Sequence, residues 1–297
     1  MSDQVRAYSY LHFCVFIWGF TAILGKLISL QALPLVWWRV VLCCIGLLFV
    51  VPLRLFVSMP RRRFWELFGI GVLVGIHWLC FYGAIKIANA SVAVASMALT
   101  SFSAALVEPW LLRTRIKPYE LGLGLLILPG VALLVGNIDW TMRIGFGLGI
   151  LGAVLAAVFS TLNKRVLNHL PPPPLAMSLL ELFAAVCVTS LALPFVWAQN
   201  PQLKIWPAGD DWRWLMLLAG VCTLLPYYLT LLAMRHLSAF TANLIINLEP
   251  VYGVLLATLI FREDLQLEAG FYWGVLIILV AVFSHPFLKK KFEPQQA

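Results

Sequence analysis

The sequence predicts an all-α integral membrane protein with about ten transmembrane helices, arranged as two inverted five-helix repeats. Two observations predict the membrane class: 62% of the 297 residues are hydrophobic and only 11% are charged, whereas soluble domains keep roughly a quarter of their residues charged. A water-soluble fold could not hide so much apolar surface, so most side chains are expected to contact lipid or other helices. The third observation is an internal repeat, which predicts two related halves.

Apolar runs of about 20 residues, the length that crosses a hydrocarbon core of about 30 Å, can be placed along the whole chain. The connections between them are short and contain helix breakers such as Pro60 and the run Pro171–Pro174. The first run lacks a following cleavage site and is expected to stay as a span. The predicted spans are about 9–29, 34–53, 66–86, 90–112, 119–136, 146–166, 175–197, 212–234, 240–261 and 268–288.

Clusters of Lys and Arg predict the orientation, because cytoplasmic loops retain positive charge. The clusters at Arg61–Arg63, Arg113–Lys117 and Lys289–Lys291 are assigned to the inside, which places both termini in the cytoplasm. We therefore expect a multi-pass protein of a bacterial cytoplasmic (inner) membrane. The net charge of +8 is interpreted as this topology signal. No nucleic-acid partner is expected, because the basic residues do not follow one amphipathic face.

A shift of 149 residues aligns the two halves of the chain. It places Ala84 to Lys86 on Ala233 to Arg235, and Leu99 to Arg113 on Leu248 to Arg262. The repeats are predicted at 9–136 and 146–288, with five helices each. An odd number of helices turns the second copy upside down, a pattern typical of transporters that alternate access around a site between repeats. A duplicated scaffold that transports nothing stays open as the alternative.

Enzyme signatures and metal-ligand spacings are absent from the sequence. There is no nucleophile elbow with a Ser/His/Asp order, no H-E-x-x-H, no Walker loop and no G-x-G-x-x-G after a strand. The six cysteines lie in apolar stretches without metal-ligand spacing. We expect no metal and no cofactor, and we expect a small-molecule solute and membrane lipid as partners of a monomer or homodimer. A non-transporting subunit of a larger complex and an intramembrane enzyme remain alternatives.

Arg39 is the first candidate for binding a solute. It lies inside the second predicted span, where a charge costs roughly 2.5 to 3.5 kcal/mol unless it faces a cavity or a partner. Its guanidinium could contact an anionic group such as a carboxylate. The alternative is that the side chain snorkels to the outer interface beside Trp37 and Trp38.

Glu181, in the seventh predicted span, is the candidate for coupling transport to protons. Its depth is expected to differ from that of Arg39 by roughly 13 Å, so a direct ion pair is not expected and the two could serve opposite ends of one path. The alternative for Glu181 is an interfacial ion pair with Lys164 or Arg165. A third acidic residue, Glu108, is assigned to the charge cluster at the inner end of the fourth span.

Glu249 lies near the middle of the ninth predicted span, beside a proline that allows local unwinding around a site. Asn243 and Asn247 share one face of an ideal helix, and Glu249 points about 120° away from them. All three are candidates for contacting solute. A structural hydrogen bond to a neighbouring helix is the alternative for Glu249.

Aromatic residues of two spans form the other candidate binding group. His77, Trp78 and Tyr82 lie in the third predicted span, and Tyr227 lies in the related part of the eighth. Aromatic walls with a few polar groups suit a small amphiphilic solute. Plain packing remains the alternative for the aromatic residues, as does a hydrogen-bonded core histidine for His77.

Several sequence blocks resemble a known family. They are Trp18-Gly19-Phe20 followed by Lys26, Pro34 followed by Arg39, Tyr82-Gly83-Ala84, and Asn247 to Gly253 running on to Phe261-Arg262-Glu263. With these blocks the chain resembles the EamA family of the drug/metabolite transporter superfamily, from about residue 10 to residue 286. The resemblance implies a secondary transporter, often an exporter of amino acids or other metabolites, with a central cavity between two halves.

Overall fold

A computed structural model describes residues 2–135, 142–169, 171–249, 251–253, 256 and 269–293, and that part of the chain is helical without strands. The predicted all-α class is thereby confirmed. A five-residue π-helix, Gly220–Leu224, joins α10 to α11. The helices are α1 (Asp3–Leu27), α2 (Ala32–Leu48), α3 (Arg54–Val57), α4 (Arg61–Ile87), α5 (Ala90–Met97), α6 (Leu99–Leu112), α7 (Pro118–Val135), α8 (Arg143–Leu167), α9 (Pro174–Gln199), α10 (Asp211–Ala219), α11 (Leu225–Ala233), α12 (Ala239–Ile246) and α13 (Ala269–Phe292).

Six helical segments among the described residues are long and apolar enough to cross a membrane. Ala32–Leu48 and Pro118–Leu133 are shorter apolar helices. Residues 250, 254–255 and 257–261 of the ninth predicted span lie outside the described residues, as does Arg262 after it. The count of ten spans therefore stays a prediction. The six are Asp3–Leu27, Arg61–Ile87, Val92–Leu112, Arg143–Leu167, Pro174–Gln199 and Asp211–Ala233.

Two short helices occupy equivalent positions in the two halves. The shift of 149 residues carries Ala90–Met97 onto Ala239–Ile246, and both helices end after eight residues. Both also begin with a polar cap: Asn89 Oδ1 accepts the Val92 N–H at 2.8 Å, and Ser238 Oγ accepts from Thr241 at 3.0 Å. The helix boundaries therefore repeat at the spacing of the sequence match.

Helices of the first half pack on helices of the second. α4 packs against α8 and α9, α1 packs against α11, and α2 packs against α9. The approach of α4 to α9 requires a glycine, because a Cβ on Gly71 would lie 2.5 Å from the Cα of Glu181. The flanking core residues Leu67, Ile70 and Val74 are at most 1% exposed. Small residues are what allow two backbones to come this close in a membrane protein.

The assignment of Glu108 to a surface charge cluster is wrong. Its carboxylate turns inward from α6 and accepts the backbone N–H groups of Ala239 at 3.2 Å and Phe240 at 2.6 Å. These are free donors at the first turn of α12, where the helix dipole favours an anion. Glu108 therefore joins α6 to the start of α12 instead of pairing with Arg113 or Arg115.

Candidate functional site

A cavity of about 130 Å³ opens among α1, α2, α4, α5, α6, α8, α11 and α12. This is room for more than one water, since a single water needs roughly 10 to 15 Å³ on the same scale. Its wall is mainly apolar and aromatic, with a small number of polar side chains. Both halves of the chain contribute to it. The lining includes Trp18, Thr21, Arg39, His77, Trp78, Phe81, Thr100, Phe159, Ser160, Asn163, Thr223, Tyr227, Asn243 and Glu249.

Arg39 is buried, with 3% of its surface exposed, and it points into the bundle. Its Nε donates to Thr223 Oγ1 at 2.6 Å and its Nη1 donates to Tyr82 Oη at 2.9 Å. The guanidinium carbon lies 4.3 Å from the ring centre of Trp78, a favourable cation–π distance. The snorkelling alternative does not describe this side chain, and Trp38 instead donates its indole N–H to Ile205 O.

The π-helix places Thr223 beside Arg39. Pro226 has no N–H to donate, so the regular ladder is interrupted one turn before it. The Leu225 N–H bonds to Gly220 O, one residue further back than in an α-helix. The Thr223 hydroxyl likewise donates to Leu218 O at 2.6 Å while accepting from Arg39. A local irregularity of the helix thus builds one wall of the cavity.

Glu249 and Asn243 both line the cavity, whereas Asn247 does not. The ideal-helix geometry expected for these residues fails because α12 ends at Ile246 and a turn follows. Asn247 instead donates to Ser101 Oγ at 2.7 Å, which ties α12 to α6.

Thr21 donates a long hydrogen bond to Glu249. Its hydroxyl lies 3.5 Å from Glu249 Oε1 but donates to Trp18 O at 2.7 Å. A hydroxyl has one hydrogen, so Thr21 donates mainly along the shorter bond, to Trp18 O. Among the described residues the carboxylate of Glu249 therefore has only this weak donor, and it lines the cavity.

Glu181 is fully buried behind the cavity wall. Its Oε2 accepts a short hydrogen bond from the Tyr227 hydroxyl and one from Asn163 Nδ2 at 3.2 Å. Both donors line the cavity. The alternative of a pair with Lys164 or Arg165 does not hold, because Lys164 donates to Met234 O and Arg165 pairs with Glu66. No ion pair joins Glu181 to Arg39 within the described ranges.

Some of the aromatic candidates line the cavity, and one lies behind its lining. Trp78 and Tyr227 line the cavity with ring centres 6.2 Å apart, whereas Tyr82 is fully buried and reaches the cavity only through Arg39. His77 lines the cavity and bonds from Nδ1 to Gly152 O at 2.8 Å. Since a carbonyl only accepts, Nδ1 carries the hydrogen.

The family model described as "EamA-like transporter family" matches the chain twice, over residues 5–136 and 143–285. The chain belongs to the EamA-like transporter family. This assignment and the apolar helices make it a multi-pass membrane protein of the drug/metabolite transporter type. The resemblance identified from the sequence blocks is confirmed.

A crystal structure described only as that of a protein has the same fold as this EamA-like chain. The TM-score is 0.74 and the sequences are 16% identical, with 97% of this chain and 98% of the other covered. No curated protein matches the sequence.

Sequence reasoning missed several polar residues of the EamA-like cavity: Thr21, Ser160, Asn163 and Thr223. Hydroxyls are common in membrane helices, where they bond to the backbone of the preceding turn. Thr21 and Thr223 both do so here, so the residue type alone does not indicate that they line a cavity. Pro226 was the available clue for Thr223, because a proline inside a span marks a place where the helix ladder opens.

Proposed function

We propose that this EamA-like protein is a secondary transporter that moves small organic metabolites, amino-acid-like solutes above all, out across a bacterial cytoplasmic membrane by alternating access. The observation that carries the proposal is the cavity between the two halves. Arg39 reaches it from the first family match and Glu249 from the second. Transporters of this architecture bind solute between their repeats.

The charges of the cavity suit a zwitterion. Arg39 keeps donors available for a carboxylate, because its bonds to the described residues use Nε and Nη1 and a guanidinium has five N–H groups. Glu249 offers carboxylate oxygens to an ammonium group. No ion pair joins Arg39 to Glu249 in the part of the chain that the structure describes, so each charge is available to solute. Trp78 and Tyr227 supply the apolar surface.

The repeated helix breaks support a rocking mechanism. α5 ends at Met97 and α12 ends at Ile246, equivalent positions of the two halves, and both residues line the cavity. Paired discontinuous helices are typical of solute sites in transporters with inverted repeats. The two halves would move as bodies about these breaks, opening the cavity to each side in turn. Both termini lie in the cytoplasm in this proposal.

Glu181 would couple this movement to protons. Its Oε1 and the Oδ1 of Asn163 are buried acceptors that lack a hydrogen-bond partner in the described structure. Buried polar atoms are normally satisfied, and a proton on the carboxyl group would provide a missing donor. Tyr227 bonds to Glu181 and also lines the cavity, so solute and proton can influence each other through one hydroxyl.

The test is flux of labelled amino acids and related metabolites in proteoliposomes of the purified protein, with and without an imposed pH gradient. Saturable movement of one solute class, accelerated by the gradient, is the expected result. Movement that ignores the gradient would remove the proton coupling but leave the transport. Absence of flux for every solute would favour a non-transporting subunit of a larger complex.

A further inference from the structure

A second cavity, of about 700 Å³, lies at the end of the bundle where α4 begins and α6 and α8 end. Four arginines line it, together with one carboxylate, Glu66. By the charge rule this is the cytoplasmic end. None of these residues belongs to the central cavity. The four arginines are Arg62, Arg63, Arg113 and Arg165.

The charges of this pocket do not balance. Glu66 is shared between two arginines, with Arg63 Nη1 3.0 Å from Oε2 and Arg165 Nη2 3.0 Å from Oε1. Arg62 and Arg113 are both exposed and have no ion pair within the described ranges. Three positive charges are left over, and two of them have no ion-pair partner among the residues that the structure describes. An anion would complete the site.

The backbone at Arg113 holds one of these cations in an uncommon conformation. Arg113 ends α6 with φ of 56°, and it is the only residue other than glycine with positive φ among those described. Glycine is the usual residue at this helix-ending position. A side chain there costs backbone energy, and such positions cluster at ligand-binding sites. The chain turns sharply at this residue, and the Arg113 side chain lines the pocket.

Two exposed tryptophans lie at the same end of the bundle, on helices that contribute residues to the pocket. Trp65 precedes Glu66 on α4 and is 64% exposed, and Trp110 is 77% exposed beside the lining residue Leu111 on α6. Tryptophan is enriched where membrane meets water, at the depth of lipid headgroups. The tryptophans therefore indicate that this end of the bundle, with its pocket, lies at the depth of lipid headgroups.

We propose that this pocket binds the headgroup of an anionic phospholipid, with the phosphate between Arg62 and Arg113. Planar guanidinium groups suit phosphate because they donate two parallel hydrogen bonds. A phosphatidylcholine headgroup carries a cation as well as a phosphate, so it would bring a positive charge toward the arginines. Phosphatidylglycerol carries only the negative charge and should bind in preference. Basic pockets between transmembrane helices are suited to such headgroups.

The test uses the full protein in neutral detergent, with lipid binding followed by thermal stabilisation during titration. Phosphatidylglycerol is compared with phosphatidylcholine of the same acyl chains, and glycerol phosphate and inorganic phosphate serve as probes without chains. The test variant is Arg62→Gln with Arg113→Gln. The control is Arg115→Gln with Arg235→Gln, which removes two exposed charges outside the pocket.

Phosphatidylglycerol should stabilise the wild type and the control equally, and its apparent affinity should weaken about fivefold for each pocket arginine removed. Equal stabilisation by phosphatidylcholine would overturn the proposal, as would unchanged affinity in the double variant. Equal binding of glycerol phosphate would make the ligand a soluble phosphate instead. Should the double variant not fold, Arg62→Gln alone carries the same expectation, because it alters one exposed side chain in the first turn of α4.

Discussion

Arg39 Nε donates to Thr223 Oγ1 at 2.6 Å, and this bond joins the first family match to the second. Tyr82, from the first half, holds the same guanidinium through Nη1 at 2.9 Å. The cation is therefore positioned by both halves of the chain at the wall of the central cavity. A contact of this kind can be made in one arrangement of two rocking bodies and broken in another.

Replacing Arg39 tests whether its charge and its shape both matter. Arg39→Ala should abolish transport, and Arg39→Lys should also be strongly impaired because an ammonium cannot donate in the same fork. Tyr82→Phe removes one bond and leaves the charge, so transport should fall about tenfold, the usual effect of losing a hydrogen bond to a charged group. Initial rates in proteoliposomes at matched protein levels measure this. Wild-type rates in the Ala variant would exclude Arg39 from transport.

Replacing Glu181 should separate proton coupling from the movement of solute. We expect Glu181→Gln to transport solute without responding to a pH gradient, because the amide cannot exchange a proton. Tyr227→Phe breaks the bond between the cavity wall and Glu181 and should weaken the response while leaving the carboxyl group. Flux is compared with and without the gradient. A Glu181→Gln variant that still responds fully would place the coupling group elsewhere.

The close packing of α4 on α9 predicts that Gly71 cannot be replaced without loss of stability, and Gly69, two residues away, serves as the control. A Cβ on Gly71 would collide with the backbone of Glu181, whereas a Cβ on Gly69 meets nothing within 4 Å. Gly71→Ala should push the helices apart, lower the thermal unfolding temperature and displace Glu181. Gly69→Ala should leave both stability and transport unchanged. Identical melting curves for the two variants would contradict this prediction, because they would show that α9 can move away from α4 without loss of stability.

Glu108 is expected to stabilise the start of α12. Glu108→Gln leaves one acceptor oxygen and turns an NH₂ group toward the backbone donors of Ala239 and Phe240, which costs about 1 to 3 kcal/mol. Thermal unfolding in detergent measures the loss. Glu66→Gln is the comparison, because its partners are partly exposed arginines and such pairs contribute about 1 kcal/mol or less. A larger loss at Glu66 would contradict the capping role.

The final segment gives a prediction about pH. Partial burial alone would raise the pKa of Glu293, but hydrogen bonds from Lys117 at 2.8 Å and Tyr119 at 2.7 Å hold it below its ordinary value. A lowered pKa stabilises the fold above the ordinary carboxyl range, and the contribution disappears as pH falls through the folded-state pKa. Melting of wild type and Glu293→Gln should therefore differ near neutral pH, by at most about 1 kcal/mol, and converge in acid. A constant difference would contradict this linkage.

Charged residues of the candidate site could be predicted from the sequence, and their partners could not. Arg39 and Glu249 are noticeable because a charge in an apolar span is costly. Thr223 is one of many hydroxyls, and its role depends on a π-helix that shifts it by part of a turn. An ideal helix would place Asn247 on the same face as Asn243. Because α12 ends at Ile246, the two side chains do not both face the cavity.

The sequence by itself determined the membrane class, the helical fold and the family, because each follows from apolar content, period and pattern along the chain. Which polar groups meet was decided only by the tertiary structure. Glu108 shows the reason: its carboxylate lies five residues from Arg113 in sequence, yet it bonds to backbone donors 131 and 132 residues away. A helix end with free N–H groups can outcompete a nearby exposed cation, since the cation is satisfied by water and the buried donors are not.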